Sequence, residues 1–173
     1  MKSIQTISLC CTGHRPNKFP WQYGNNKEKQ TLYENELYKR LEKYITDNAV
    51  SDFISGMALG ADMDFALTVL LLRKKYPCIR LHCVIPCRDQ TQLWKEPYII
   101  IYKTILQQAD SAITLSESYT RTCMLERNRY MVDRSEFVFA VWNGIHKGGT
   151  WYTIEYAKKL HKPIDILRLD KLI

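Results

Sequence analysis

The sequence predicts an α/β domain built on a mostly parallel sheet with helices on both faces. Six apolar runs of strand length, most of them holding β-branched or aromatic residues, alternate with five longer segments whose apolar residues recur at helical spacing. Such alternation marks consecutive βαβ units, whose strands lie parallel and whose crossovers cover the sheet. No repeat or low-complexity segment interrupts the pattern, and the linker-like stretch 17–26 is too short to separate domains. The whole chain, 1–173, is therefore expected to form one domain.

The first strand is expected at 6–11 (TISLCC), followed by a helix over 27–47. The tyrosines of that helix, Tyr33, Tyr38 and Tyr44, do not share one face, so they read as packing or partner surface and not as a base-stacking series. The second strand, 52–55 (DFIS), passes through two spaced glycines into a helix over 61–76. A third strand at 79–85 (IRLHCVI) precedes a helix over 92–108, and a fourth at 111–115 (SAITL) precedes one over 123–133. The fifth strand, 136–142 (EFVFAVW), ends in a glycine turn that opens a helix over 150–160, and 163–169 (PIDILRL) supplies the last strand.

With 173 residues and 46% hydrophobic content the chain can bury a substantial core. Its net charge of +7 and pI near 9.1 favour anionic partners such as nucleotides, nucleic acid or acidic protein surfaces, although no run of like charge forms a basic tail. Residues 1–8 hold no long apolar region, and the longest apolar run, 66–72, is far short of the roughly 20 residues that span a bilayer. A soluble, cytoplasmic protein without a membrane partner is expected. The six cysteines form no CxxC pair, and several lie in strand-like runs, which points to buried reduced thiols and to no metal site. His82 and His161 have no triad-like companions along the chain and read as structural or surface residues.

In an open parallel sheet, ligands collect outside the carboxyl ends of the strands. Four loops meet that condition. After the first strand comes Thr12-Gly13-His14-Arg15-Pro16, in which glycine permits a tight turn while His14 and Arg15 offer donors to an anion. It is not a GxGxxG fingerprint, and an ordinary strand exit with a surface arginine is the plain alternative. The second loop runs from Ser55 and Gly56 to Gly60, Ala61 and Asp62. Its backbone N–H groups could face a phosphate, and Asp62 could hold a ribose hydroxyl or cap the helix. Asp64 is expected to serve the helix dipole and not a ligand.

The third candidate pairs the Arg127-Asn128-Arg129 helix with the turn Gly148-Gly149-Thr150. Consecutive helical residues point in different directions, so the three cannot all serve one ligand. Arg127 shares a face with Met124 and Met131 and is the inward candidate, whereas Arg129 is the solvent or salt-bridge candidate. Thr150 is placed both to cap the last helix and to touch an anion, and a plain turn between strand and helix is the alternative. The fourth loop carries Gln90 and Trp94, four apart at the expected start of a helix, where an amide and a ring could meet a planar base or Trp94 could pack into the core.

Five ordered motifs, TGHRP, SGMALGAD, IPCRDQTQLW, RNRYMVDRS and KGGTWYTIEYA, together resemble the YpsA-like branch of the SLOG superfamily across residues 12–157. The resemblance implies a Rossmann-like three-layer domain that binds a nucleotide or nucleotide-derived ligand, and self-association as a homodimer. The DNA-processing protein DprA has a similar SGxAxGxD turn and RNR helix, which implies that Ser55, Gly56, Gly60, Asp62, Arg127 and Arg129 could line a groove for single-stranded nucleic acid. LOG nucleotide phosphoribohydrolases carry an M-x-E-R-K-x-x-M helix, matched by Met124, Glu126, Arg127 and Met131, and their functional arginine falls on Arg127. Their PGGxGTxxE motif is matched only by Gly148-Gly149-Thr150, and the glutamate arrives two positions late, at Glu155.

Three functional expectations follow. The leading one is binding or sensing of a phosphate-bearing nucleotide derivative, with no cofactor. Gly13, Arg15, Gly56, Gly60, Gly149 and Thr150 would surround phosphate, Asp62 would meet sugar, and Gln90 or Trp94 would face the base. The second is N-glycosidic hydrolysis of a nucleoside monophosphate, with Arg127, Asp62 and Glu155 as catalytic candidates. The third is binding of single-stranded nucleic acid.

Overall fold

The computed structural model describes residues 6–172. Its elements follow as β1 (Ile7–Gly13), α1 (Lys27–Asn48), β2 (Val50–Ser55), α2 (Ala61–Arg73), β3 (Arg80–Ile85), α3 (Glu96–Gln108), β4 (Ser111–Thr114), α4 (Cys123–Asp133), β5 (Phe137–Trp142), α5 (Gly149–Lys159) and β6 (Ile164–Arg168). The strands form one sheet of order β4-β3-β2-β1-β5-β6, and every pairing is parallel. Leu9 of β1 pairs with Phe53 of β2 on one side and with Phe137 of β5 on the other.

From β1 to β4 the chain steps toward one edge of the sheet, then crosses back to β5 and β6. Right-handed crossovers place helices of the outward run on one face and those of the return run on the other. Accordingly α2 packs against α1 and α3, while α4 packs against α5. This is a three-layer, Rossmann-like α/β fold.

The central strands are apolar on both faces, as parallel strands sandwiched between helices must be. On one face Leu9, Cys11, Phe53, Leu81 and Phe139 meet Tyr33, Leu37, Leu41, Phe65 and Val69 of the helices. On the other, Cys10, Val84 and Val138 meet Met131, Val132 and Ala157. The linker-like stretch also packs: Phe19 and Trp21 are buried, and the Phe19 ring meets Tyr33 edge-on at 5.3 Å. Tyr23 and Tyr33 both donate hydrogen bonds to the Asp64 carboxylate, at 2.6 and 3.1 Å. Burial pushes that carboxyl up to about 7, against the pull of the two hydroxyls.

Boundaries differ from the sequence expectation by two or more residues in four places, one of them the start of β2, at Val50 and not at 52. Strand β1 runs on through Thr12 and Gly13, which pair with Ala140 and Val141. Helix α2 stops at Arg73, where Lys74 turns back to Leu71. Helix α3 begins at Glu96 and not at 92, because Pro97 is tolerated only in the first turn; farther inside it would remove a hydrogen bond and clash with the preceding turn.

A further correction concerns His82, which does have triad-like companions. Its Nε2 lies 2.7 Å from Asp52 Oδ1 and its Nδ1 2.7 Å from Ser111 Oγ, across three neighbouring strands. Arg80 also holds the Asp52 carboxylate, at 3.0 Å. Register set these partners together, with His82 level with Ser111, and register is not written in linear spacing.

Cys78 is exposed, the other five cysteines are buried, and none is in a disulfide. Among the described residues no helix is long and apolar enough to cross a membrane, and no metal-binding cluster of His, Cys, Asp and Glu is found. The expectation for residues 1–8 lies mostly outside the described residues.

Candidate functional site

Between β1 and β5 the chain reverses its progress across the sheet, and loops leaving the carboxyl ends of such neighbouring strands diverge and open a crevice. That crevice is a cleft of about 460 Å³. Thr12, Gly13, His14 and Arg15 line it from the end of β1, and Gly148, Gly149 and Thr150 line it from the start of α5. Asp62 of α2 and Arg127 and Asn128 of α4 complete the lining from the other two approaches.

Close packing explains the local sequence. A side chain on Gly13 would overlap Ala61 and stand 3.2 Å from Val141 Cβ. Gly60 has φ +90°, and a Cβ there would lie 2.6 Å from the His14 carbonyl oxygen. That carbonyl accepts the Ala61 N–H at 3.1 Å, and the His14 N–H donates to Val141 O at 3.3 Å. The ends of β1 and β5 and the beginning of α2 are thereby fixed to one another.

A substituent on Gly56 would overlap the Arg127 guanidinium, which lies across this glycine and donates to its carbonyl oxygen. Arg127 Nε donates to Asn128 Oδ1 at 2.8 Å, and Nη1 lies 3.5 Å from Asp62 Oδ2. Asn128 Nδ2 donates to Thr153 Oγ1 at 2.9 Å, and that hydroxyl donates to Gly149 O at 2.8 Å. One hydrogen-bonded chain therefore links the arginine to the glycine turn.

Arg127 and Asp62 are each 4% exposed. Burial pushes the Asp62 carboxyl above its ordinary range, opposed by the Arg127 charge and the Ala58 N–H; burial likewise lowers Arg127, opposed by Asp62. The pair is close to neutral as a unit, so the positive field at the cleft comes from exposed Arg15, Lys18 and Lys147. Burial also lowers His14 below its usual range, with Asn143 opposing and Lys18 adding to the shift. Two buried polar atoms of the lining residues, Asp62 Oδ1 and His14 Nε2, have no hydrogen-bond partner among the described residues. His14 Nδ1 lies 3.2 Å from Thr150 Oγ1; the tautomer in which Thr150 donates leaves an N–H on Nε2.

At the start of α5 the first intrahelical bond runs from the Tyr152 N–H to Gly148 O, so the N–H groups of Gly149, Thr150 and Trp151 have no intrahelical acceptor. Gly148 has φ +89° and needs glycine for its backbone. Gly149 does not: its φ is ordinary and a Cβ there would meet nothing within 4 Å. Folding leaves the identity of Gly149 unexplained, whereas close approach of a ligand to bare N–H groups would explain it.

Of the other expected site residues, Ser55, Gly56 and Gly60 stand behind the lining: Ser55 Oγ donates to Asp62 O at 2.7 Å and accepts the Met57 N–H at 3.2 Å. Gln90 and Trp94 are not brought to the cleft. They precede α3 instead of sharing its face; Gln90 Nε2 donates to Met57 O at 3.3 Å, and Trp94 packs edge-on against Tyr102 at 5.4 Å. Glu155 is outside the cleft as well, paired with Lys158 at 2.8 Å, and Arg129 is exposed above the Tyr152 ring.

Sequence reasoning overlooked Asn128, Lys18, Asn143 and Lys147, all of which line the cleft. Asn143 Nδ2 donates to Lys18 O at 3.1 Å and so joins the two main loops. Adjacency was the available signal: Asn128 follows Arg127, and Lys147 precedes the paired glycines.

Comparison with known proteins matches the chain to a family. The model of the YspA SLOG family matches residues 9–172. An uncharacterized SPbeta prophage-derived protein, YoqJ, of Bacillus subtilis is 32% identical over 146 residues, covering 78% of this chain and 85% of the relative. A UPF0398 protein of Bacillus pumilus is 28% identical over 170 residues, covering 95% and 89%, and one from Bacillus velezensis is 25% identical, covering 95% and 92%.

Proposed function

The chain belongs to the YspA SLOG family, and from that premise and the chemistry of the cleft we propose that it binds or senses a phosphate-bearing nucleotide or nucleotide-derived ligand. One observation carries the proposal: two unpartnered buried polar atoms, His14 Nε2 and Asp62 Oδ1, belong to a cleft whose facing wall is a bare helix N-terminus. Leaving such groups unpaired costs about 1–3 kcal/mol each, which a complementary ligand recovers. Phosphate oxygens accept from the Gly149 and Thr150 N–H groups and from His14, a sugar hydroxyl donates to Asp62 Oδ1, and Arg127 with Asn128 holds the wall in place. Arg15, Lys18 and Lys147 draw the anion to the mouth.

Isothermal titration with nucleotides, cyclic nucleotides, ADP-ribose species and single-stranded oligonucleotides tests this. Saturable binding of a phosphate-bearing small molecule is expected, and uniform absence of binding by folded protein would refute it.

The position of Asp62 favours a second reading. Cleavage of an N-glycosidic bond develops positive charge on the ribose ring, and a carboxylate beside the sugar stabilises it. Asp62 meets that requirement within the cleft, whereas Glu155 does not. Release of free base from nucleoside monophosphates, followed by chromatography, is the assay; equal turnover by wild type and Asp62→Asn would remove the reading.

A further inference from the structure

The glycine turn has a second side. Gly148 and Gly149 also border a recess of about 470 Å³ beside α4 and α5, whose remaining walls are Leu125, Trp151, Tyr152 and Glu155. The two cavities therefore share the Gly148-Gly149 backbone, and no side chain stands between them at either glycine. Both aromatic walls have partners: Trp151 stacks on Trp142 with ring centroids 5.1 Å apart, and the Arg129 guanidinium lies 5.2 Å from the Tyr152 centroid and bonds its hydroxyl. Among the described residues Glu155 is the only charged one of the lining, and its carboxylate accepts hydrogen bonds but donates none. Its present partner, Lys158, is about half exposed, so that ion pair is easily exchanged for another donor.

We propose that this recess seats the base of the nucleotide whose phosphate occupies the cleft, and that the base is guanine. The inference rests on the phosphate-binding reading given above. An apolar slot with aromatic walls suits a planar heterocycle. A lone carboxylate at its rim selects an edge that carries adjacent N–H donors. Guanine presents N1–H and the N2 amino group side by side, matching the two carboxylate oxygens. Adenine offers one amino group next to an acceptor nitrogen, which the carboxylate repels. The slot also supplies the base contact that Gln90 and Trp94, held against other parts of the fold, do not make.

Calorimetric titration of the full chain with ribose 5-phosphate, GMP, IMP and AMP tests the inference. IMP lacks only the N2 amino group. GMP is expected to bind about tenfold more tightly than IMP, the size of one hydrogen bond to a charged acceptor, and more than about tenfold more tightly than ribose 5-phosphate, which lacks the base altogether. Glu155→Gln, a change at a half-exposed position whose folding is checked by thermal melting, is expected to bring GMP down to the affinity of IMP. Binding of ribose 5-phosphate with no gain for GMP would overturn the base site and leave the phosphate cleft standing. Absence of binding by all four would overturn both. Self-association abolished by Leu125→Glu with GMP affinity intact would assign the recess to a second copy of the chain, and the inference would fall.

Discussion

Replacing Arg127 with Met keeps much of the side-chain volume and removes the charge, which leaves Asp62 buried without its cation. The two groups stand 3.5 Å apart, each 4% exposed, and the guanidinium also bonds Gly56 O and Asn128. Breaking a buried pair from one side costs about 3–5 kcal/mol, because the remaining charge is uncompensated. In a chain of this length each kcal/mol lowers Tm by about 2–4 °C, so a fall of roughly 6–20 °C is expected. Adding Asp62→Asn removes the stranded charge and should return at least about 2 kcal/mol of the loss. Acid should act like the second substitution. Burial already raises the Asp62 carboxyl, and loss of Arg127 raises it further; a group with a raised folded pKa gives up stability as pH rises, so the deficit of Arg127→Met should shrink from pH 7 to pH 5. Urea unfolding of wild type, both single variants and the double variant at the two pH values reads all of this. Single effects that simply add in the double variant, with the same deficit at both pH values, would refute the buried-pair account.

Asp64 supplies an independent pH test. Its folded value of about 7 against an ordinary 3.8 means that wild type loses stability as pH rises from about 4 to 7. Asp64→Asn should gain on wild type across that window, by at most about 4 kcal/mol, since each unit is worth 1.36 kcal/mol; a pH-independent difference would contradict the burial of this carboxyl among Tyr23 and Tyr33. Gly149→Ala meets no neighbour in the fold, so chemical denaturation should show unchanged or slightly raised stability, by at most about 1 kcal/mol. Affinity for phosphate ligands should nevertheless fall about tenfold as the methyl group meets the anion, and unchanged affinity would remove Gly149 from the site. A thiol-reactive dye should label Cys78 rapidly in the native protein and the five buried cysteines only after unfolding; fast labelling of Cys10 or Cys11 would show that the central strand is not covered as described.

Where local chemistry governs, the fold could be read directly from the chain. The apolar strands β1 and β5 and the glycines at 13, 56, 60, 148 and 149 mark strand exits that topology gathers at one edge. Arg127 was legible because Met124 and Met131 define its face. Asn128 was not, since its role depends on reaching Thr153 of another helix. Gln90 and Trp94 were misplaced because four-residue spacing was read through a segment that Pro97 keeps out of α3. The bridge from Asp52 through His82 to Ser111 required strand register, and the loop contact between Asn143 and Lys18 required the switch point itself. Linear sequence carries none of these long-range relations.

The most direct test of the central claim is a backbone amide NMR titration of the isotope-labelled protein with ribose 5-phosphate. Saturable shifts should be largest at Gly13, His14, Gly149 and Thr150, which would locate the phosphate between the β1 exit and the start of α5. Absence of saturable shifts there, or a response centred on residues outside the cleft, would contradict the account.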